Sequence, residues 1–449
     1  MSKEVQKKPI IVAQIMGKWV GGGVESVIMN YYRHLDHSKV QFDFICDEDS
    51  TRIPYDEIKK LGGRVFLVPK YQNLPKYLKA LEKLFKENQY RIVHSNINTL
   101  SVFPLYAAKK AGVPIRISHS HSTSNPKEWK RNLIKNILRP FSKRYATDYF
   151  ACSEKTGIYQ FGKRKSKLVK IIPNSIDIEK FKFRPKDRQD IRAELGIEED
   201  TIVIGHIGRF VETKNHQFII HSFSKLHQKN PNTKLILIGD GPLLEKTRKT
   251  VRDLGLEESV LFLGRKENIA PYYSVFDIFF LPSLYEGMPM SGIEAQVSGL
   301  KCIFSSSFSK DTAIIPGNVL FLSNEDKESL IKGVVYFNNQ INNREVPLKK
   351  IEKVDIEKNT PILQSMYNKK TKIMHLVSTD SFSGAENVVC QIINMFNNDQ
   401  RYEMKYCSKI GKNASSLKMR DIPILEVEKF SFLPLAKAIK KYNPDIIHA

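Results

Sequence analysis

The sequence predicts an α/β protein in which two parallel, doubly wound domains face each other across a cleft and part of a third comes after them. Three observations carry that prediction. Short β-branched runs alternate with amphipathic stretches, the pattern of βαβ units and therefore of a parallel sheet. The alternation comes as two successive series. The last stretch then repeats the opening of the first series. Lys372–Val377 with Ser383-Gly384-Ala385-Glu386 stands 361 positions after Ile11–Met16 with Gly22-Gly23-Val24-Glu25, and Asp445-Ile446-Ile447-His448 repeats Arg91-Ile92-Val93-His94.

Strands of the first series are expected at Ile10–Met16, Phe42–Cys46, Val65–Val68, Ile92–Ser95, Ile115–Ser118 and Tyr149–Cys152. Helical patterns separate them, as in Pro75–Phe85, where Leu78, Leu81 and Leu84 share one face. Lys170–Phe183 reads as a hinge, with a turn at Pro173-Asn174-Ser175. Strands of the second series are expected at Ile202–Ile207, Leu235–Ile238, Val260–Leu263, Ile278–Leu281, Lys301–Phe304 and Val319–Leu322, and a helix over Asp326–Phe337. Asn338–Lys370 is polar, without a clear period, and reads as a crossing tail and linker. The expected domains are thus 1–182, 183–340, a tail and linker over 341–370, and a partial repeat over 371–449. That repeat has no counterpart of His119, Arg209, Lys214 or the carboxylate pair described below. It is expected to be a truncated second copy, dispensable for catalysis.

A chain of 449 residues exceeds one ordinary core, and 41% hydrophobic with 27% charged residues suits a globular protein. No apolar run approaches the roughly 18 residues of a membrane span. Ile10–Met16 follows several lysines as a signal peptide would, but it leads into Gly17, Lys18 and Trp19 rather than a cleavage site, so it reads as a first strand. The cysteines, Cys46, Cys152, Cys302, Cys390 and Cys407, are odd in number and far apart, which suggests neither a disulfide framework nor a zinc site and fits a reducing cytoplasm. A formal charge of +23 implies an anionic partner: nucleic acid, a membrane surface or a phosphorylated substrate. Lys127–Arg144 adds a basic amphipathic pattern, with Trp129, Leu133, Ile137 and Leu138 among Lys130, Arg131, Lys135 and Arg139. It suits an anionic membrane surface or an ordinary buried helix face.

The stretch most like a site is Ser283–Gln296. Glu286 should fall in the loop at the carboxyl end of a buried strand, where open parallel sheets bind ligands, and Glu294 on the helix Met290–Val297. Gly287 would let the backbone approach a ligand, Met288 is next to it, and Pro289 suits the first helical turn. The helix start would aim N–H groups at an anion such as a diphosphate, and the carboxylates suit sugar or ribose hydroxyls. A solvated loop before a surface helix would read the same way.

Three more stretches join it. Gly208-Arg209-Phe210-Val211-Glu212-Thr213-Lys214 follows a buried strand, Gly239-Asp240-Gly241-Pro242 ends another, and Gly21-Gly22-Gly23-Val24-Glu25 follows the first. Together these resemble the retaining glycosyltransferases of family 4, the "group 1" family of the GT-B fold, over roughly residues 9 to 340, and in particular the enzymes of bacterial capsule and exopolysaccharide synthesis. The resemblance implies that Glu294 holds the ribose of the nucleotide and Glu286 contacts the donor sugar. It implies that Arg209 and Lys214 grip the diphosphate, that the Gly22–Gly23 loop lies against it, and that Gly239 and Gly241 support the nucleotide. In Ser118-His119-Ser120-His121-Ser122 it implies one histidine facing the donor sugar; read as a continuing strand, the two point opposite ways and only one reaches the cleft. His119 and His121 both stay candidates, and Glu25 also suits a first helical turn.

Taken as a whole, the resemblance implies a metal-independent, cofactor-free transferase using a UDP-linked sugar and a glycan or lipid-linked acceptor, in the cytoplasm or on the inner face of the cell membrane. Asp47-Glu48-Asp49 has the Asp-x-Asp form of metal-dependent glycosyltransferases, but it stands apart from the other motifs and reads as an acidic loop. A sugar-nucleotide epimerase of the same fold is the enzyme alternative. A nucleic-acid-binding protein is the other, without a recognisable reader motif.

Overall fold

The computed structural model describes residues 8–122 and 135–368, and beyond them 371–376, 384–396, 402–409, 414, 417–418, 420, 422–429, 431–442, 444 and 446–448. The chain forms two compact units, Met1–Leu363 and Gln364–Ala449.

The first unit contains two parallel sheets. The strands of the first are β1 (Ile10–Gly17), β2 (Val40–Asp47), β3 (Arg64–Val68), β4 (Ile92–Ser95), β5 (Ile115–Ser120), β6 (Asp148–Ala151) and β7 (Val169–Ile171), in the order β3-β2-β1-β4-β5-β6-β7. Those of the second are β8 (Ile202–Ile207), β9 (Thr233–Ile238), β10 (Val260–Gly264), β11 (Ile278–Leu281), β12 (Lys301–Ser305) and β13 (Val319–Leu322), in the order β10-β9-β8-β11-β12-β13. Both are doubly wound, and each reverses direction beside its own first strand, between β1 and β4 and between β8 and β11. Chain leaving those strands at their carboxyl ends opens a crevice for ligands.

Strands covered on both faces must be apolar at every position, which is why the second sheet was so legible. In β11, Phe279 and Leu281 pack with Ile293, Ala295 and Val297 of the helix Met290–Val297. Ile278 and Phe280 bury on the other face with Phe218 and Ile219 of the helix His216–Lys229. The carboxylate-bearing helix is thereby fixed against the strand that delivers Glu286.

Two stretches differ from expectation. The hinge Lys170–Phe183 contains the end of β7 and a helical turn at Ile178–Phe181. Asn338–Lys370 is largely helical where described, with Leu348–Ile351 and Ile356–Tyr367. Ile351, Val354 and Ile356 are buried, and Ile356 N–H donates to the Ile176 carbonyl at 3.0 Å, so the part around these residues belongs to the first unit. Lys369 and Lys370 lie outside the described residues.

The second unit is a parallel sheet of β14 (Thr371–Leu376), β15 (Tyr402–Lys409), β16 (Ile424–Val427) and β17 (Ile446–His448), in the order β16-β15-β14-β17. This matches the order of β3, β2, β1 and β4, and the helix Gly384–Phe396 comes after β14 as Gly23–His34 comes after β1. Val377, Ser383 and Asp445 of the repeat fall outside the described residues.

Candidate active site

The cleft of the first unit has a volume of about 930 Å³ and is lined from both sheets, by loops at the carboxyl ends of β1, β2 and β5 on one side and of β8, β9, β10 and β11 on the other. Its walls include Gly22, Gly23, His121, Arg209, Lys214, Gly239, Glu286, Gly287, Met288, Pro289 and Glu294. Stretches up to 272 positions apart in sequence thus converge on one space.

Glu294 is buried in the wall, and Tyr273 Oη donates to its Oε2 at 2.6 Å. Burial raises its carboxyl to about 7, with the tyrosine bond and the charges of Lys180 and Lys214 pulling the other way. Its helix begins after Pro289, which stands just before the first turn rather than in it. Glu286 accepts from Lys214 Nζ at 2.5 Å, each side chain 19% exposed, so a cation and an anion assigned to different parts of a ligand meet directly. Leu284 N–H, donating to the Thr213 carbonyl at 2.8 Å, ties the loop after β11 to the loop after β8.

Gly239 and Gly241 have φ of 143° and 149°, and a Cβ on either would fall 2.1 and 2.6 Å from the carbonyl oxygens of Gly208 and Phe210. Only glycine permits this backbone crossing. It holds the β9 turn against the arginine-bearing loop, where Phe210 N–H donates to the Asp240 carbonyl at 2.7 Å. Gly241 supports the site from behind and does not line the cleft.

In the first domain the helix Gly23–His34 starts at the glycine loop. Glu25, in its first turn, folds back to accept from the Val20 N–H at 3.1 Å, and so holds the loop rather than facing the cleft. The two histidines correct the alternation argument: positions two apart on a strand share a face, and the rings of His119 and His121 lie with centroids 3.9 Å apart. They differ in depth. His119 contacts His94, Nδ1 to Nε2 at 3.0 Å, while His121 reaches the cleft wall just past the end of β5. His121 Nε2 donates to Asn96 Oδ1 at 3.1 Å, leaving Nδ1 as an acceptor. Burial lowers His121 to about 3, so its ring is neutral near pH 7.

Gly287 is also required by a contact within the protein. A Cβ there would fall 2.6 Å from the His121 carbonyl oxygen, so the loop after β11 touches the first domain's backbone directly. Asn174 Nδ2, donating to the Met288 carbonyl at 2.7 Å, makes a second link.

Arg52, Asn174, Lys180, Arg265 and Lys266 also line the cleft and were not singled out by sequence. Arg265 and Lys266 come just after β10, and their place at a strand's carboxyl end could have flagged them; Tyr273 had no such signal. In the acidic loop, Asp49 pairs with Lys18 at 2.8 Å, and burial raises Asp47 to about 6. Of the basic stretch Lys127–Arg144, residues 127–134 lie outside the described region. The remainder is broken by a turn at Arg139–Phe141, so it is not one continuous helix. Among the described residues no helix is long and apolar enough to cross a membrane.

Two family models match in tandem, "Glycosyltransferase Family 4" over residues 21–180 and "Glycosyl transferases group 1" over residues 187–354. EpsF of Bacillus subtilis (strain 168), a protein assigned as a glycosyltransferase, is 38% identical over 312 residues, covering 68% of this chain and 80% of the relative. The chain belongs to the group 1, family 4 glycosyltransferases. A second relative of this glycosyltransferase, the UDP-Gal:alpha-D-GlcNAc-diphosphoundecaprenol alpha-1,3-galactosyltransferase of Escherichia coli, is 28% identical over 331 residues, 69% of this chain and 81% of its own. Anabaena HepE, solved in complex with UDP-glucose, superimposes with a TM-score of 0.62 at 18% identity, over 80% of this chain and 95% of that one, and so shares the GT-B fold. In this glycosyltransferase the two matched segments correspond to the two facing sheets, and the cleft lies between them.

Proposed function

We propose that this glycosyltransferase moves a sugar, with retention of configuration, from a UDP-linked donor to a growing polysaccharide carried on a lipid diphosphate. The observation that carries the reading is the gathering of Glu294, Glu286, Arg209, Lys214, His121 and the glycine loop around one cleft. Glu294 accepts from the ribose hydroxyls, with Tyr273 fixing its carboxyl. Glu286 and neutral His121 serve the hydroxyls of the donor sugar, His121 through hydrogen bonds rather than as an acid. Arg209 and Lys214 offset the charge that grows on the departing diphosphate, a transition-state stabilisation that fixed cations supply without reorganisation. Front-side attack by the acceptor hydroxyl, with the leaving phosphate as base, is the retaining route this arrangement suits.

The acceptor class is supported by the Escherichia coli relative, whose name specifies a diphosphoundecaprenol substrate, and the donor by that name and by UDP-glucose in HepE. A net charge of +23 suits work at the anionic inner face of the cell membrane. The direct test is thermal stability measured against a panel of nucleotide sugars. UDP-linked donors should raise the melting temperature by mass action, and ADP- and GDP-linked ones should not. A panel in which UDP-sugars have no effect would overturn the donor assignment.

A further inference from the structure

The Gly239–Gly241 turn presents the Asp240 side chain to the cleft. Across from it, Arg52, on the loop after β2 in the first domain, pairs with it end-on: Nη1 donates to Oδ1 at 2.9 Å and Nη2 to Oδ2 at 2.6 Å. The pair therefore spans the two domains. Both side chains line the cleft, about one-third exposed at 31% and 33%.

Three features make this more than a structural tie. Arg52 lies along the glycine loop, where a Cβ on Gly21 would fall 3.4 Å from its Cδ, so it stands between the loops that face a diphosphate from either side. Arg52 is the ion-pair partner of Asp240, and Arg265 and Arg209 add to it from further off; together they hold its carboxyl below the usual range. The buried Arg209 Nε, for its part, has no hydrogen-bond partner among the described residues. The guanidinium fork, finally, meets a carboxylate and a phosphate with the same two-bond geometry, so one anion can replace the other without rebuilding the site.

We propose that Arg52 is a ligand of the donor diphosphate supplied by the first domain, and that Asp240 holds it in place until the diphosphate takes it over. This rests on the nucleotide-diphosphate reading of the cleft. It makes Arg52 a third arm beside Arg209 and Lys214. It also gives Asp240 an unusual sign: a carboxylate beside the donor site whose charge opposes donor binding.

Calorimetric titration with UDP and with uridine separates the possibilities, because only UDP carries the group that Arg52 would hold. Arg52→Ala should weaken UDP binding about tenfold or more, the scale of a lost charge-assisted bond, and leave uridine unchanged. Asp240→Asn keeps the side chain's shape, frees Arg52 and removes a repulsive charge, so it should tighten UDP binding. Unchanged UDP affinity in Arg52→Ala would overturn the proposal, as would Asp240→Asn weakening UDP, the behaviour of a tie that only joins the domains. Should Arg52→Ala lose uridine as well, its cleft is damaged and Asp240→Asn decides by the same sign. If the wild-type protein binds neither ligand, the donor assignment itself fails and this proposal falls with it.

Discussion

Burial holds the Glu294 carboxyl at about 7, so near neutrality the group divides between two forms. The carboxylate accepts from two hydroxyls more strongly than the neutral acid, which carries a proton on one oxygen and loses acceptor capacity there. Affinity for the nucleoside should therefore rise as pH increases from about 6 to about 8, the window set by the raised value. Uridine is the proper probe, since the phosphates of UDP have their own ionisation near pH 6. Glu294→Gln should bind more weakly and flatten the profile; a slope that persists in this variant would assign the titration to another group. The raised value also acts on stability. Between the ordinary 4.5 and about 7 the folded protein holds this proton more tightly than the unfolded chain, so this group's contribution falls as pH rises through that range. At this scale the sequence was informative about which residues gather and poor on what they touch. Glu286, Glu294, Arg209 and Lys214 stood beside apolar runs whose ends could be read. The Lys214–Glu286 and Arg52–Asp240 pairs join positions 72 and 188 apart, and no local pattern records them.

The loop after β11 is where one element carries the joint between the domains. Gly287 abuts the His121 carbonyl, and the Met288 carbonyl accepts from Asn174. Gly287→Ala should push the loop off the first domain by some fraction of an ångström while leaving both sheets intact. Because small misplacements of reacting groups are costly, kcat/KM should fall about tenfold to a hundredfold with little change in melting temperature. Unchanged transfer kinetics would show that the contact does not position the site. Element by element, β8 to β13 were legible because doubly covered strands are continuously apolar. β7 was not, being three residues long inside a stretch dominated by a turn signal. The helix Ile356–Tyr367 was hidden by its polar composition and by Pro361 in its interior, ordinarily a breaker. What ties its start to the first unit is tertiary: Ile356 N–H donates to the Ile176 carbonyl at 3.0 Å and Asn359 Nδ2 to Ser175 Oγ at 3.0 Å. His119 and His121 were misread for a simpler reason, since the period of a strand puts positions two apart on one face.

At the scale of the whole chain, the two sheets of the first unit each turn their switch point toward one cleft, and that placement makes a transferase of otherwise ordinary loops. The doubly wound order comes from the βαβ alternation, but the facing of the domains depends on contacts such as Gly287 with His121 that no single stretch encodes. If the cleft transfers sugar, neither the donor alone nor the acceptor alone should be altered by the protein. The most direct measurement is a mass-spectrometric assay with a UDP-sugar panel and a saccharide linked through diphosphate to a polyprenol. One UDP-sugar should yield an acceptor lengthened by a single sugar, only when both substrates are present, and Glu294→Ala should abolish the product. A donor changed to its epimer without acceptor, or acceptor left unextended by every UDP-sugar, would contradict the assignment.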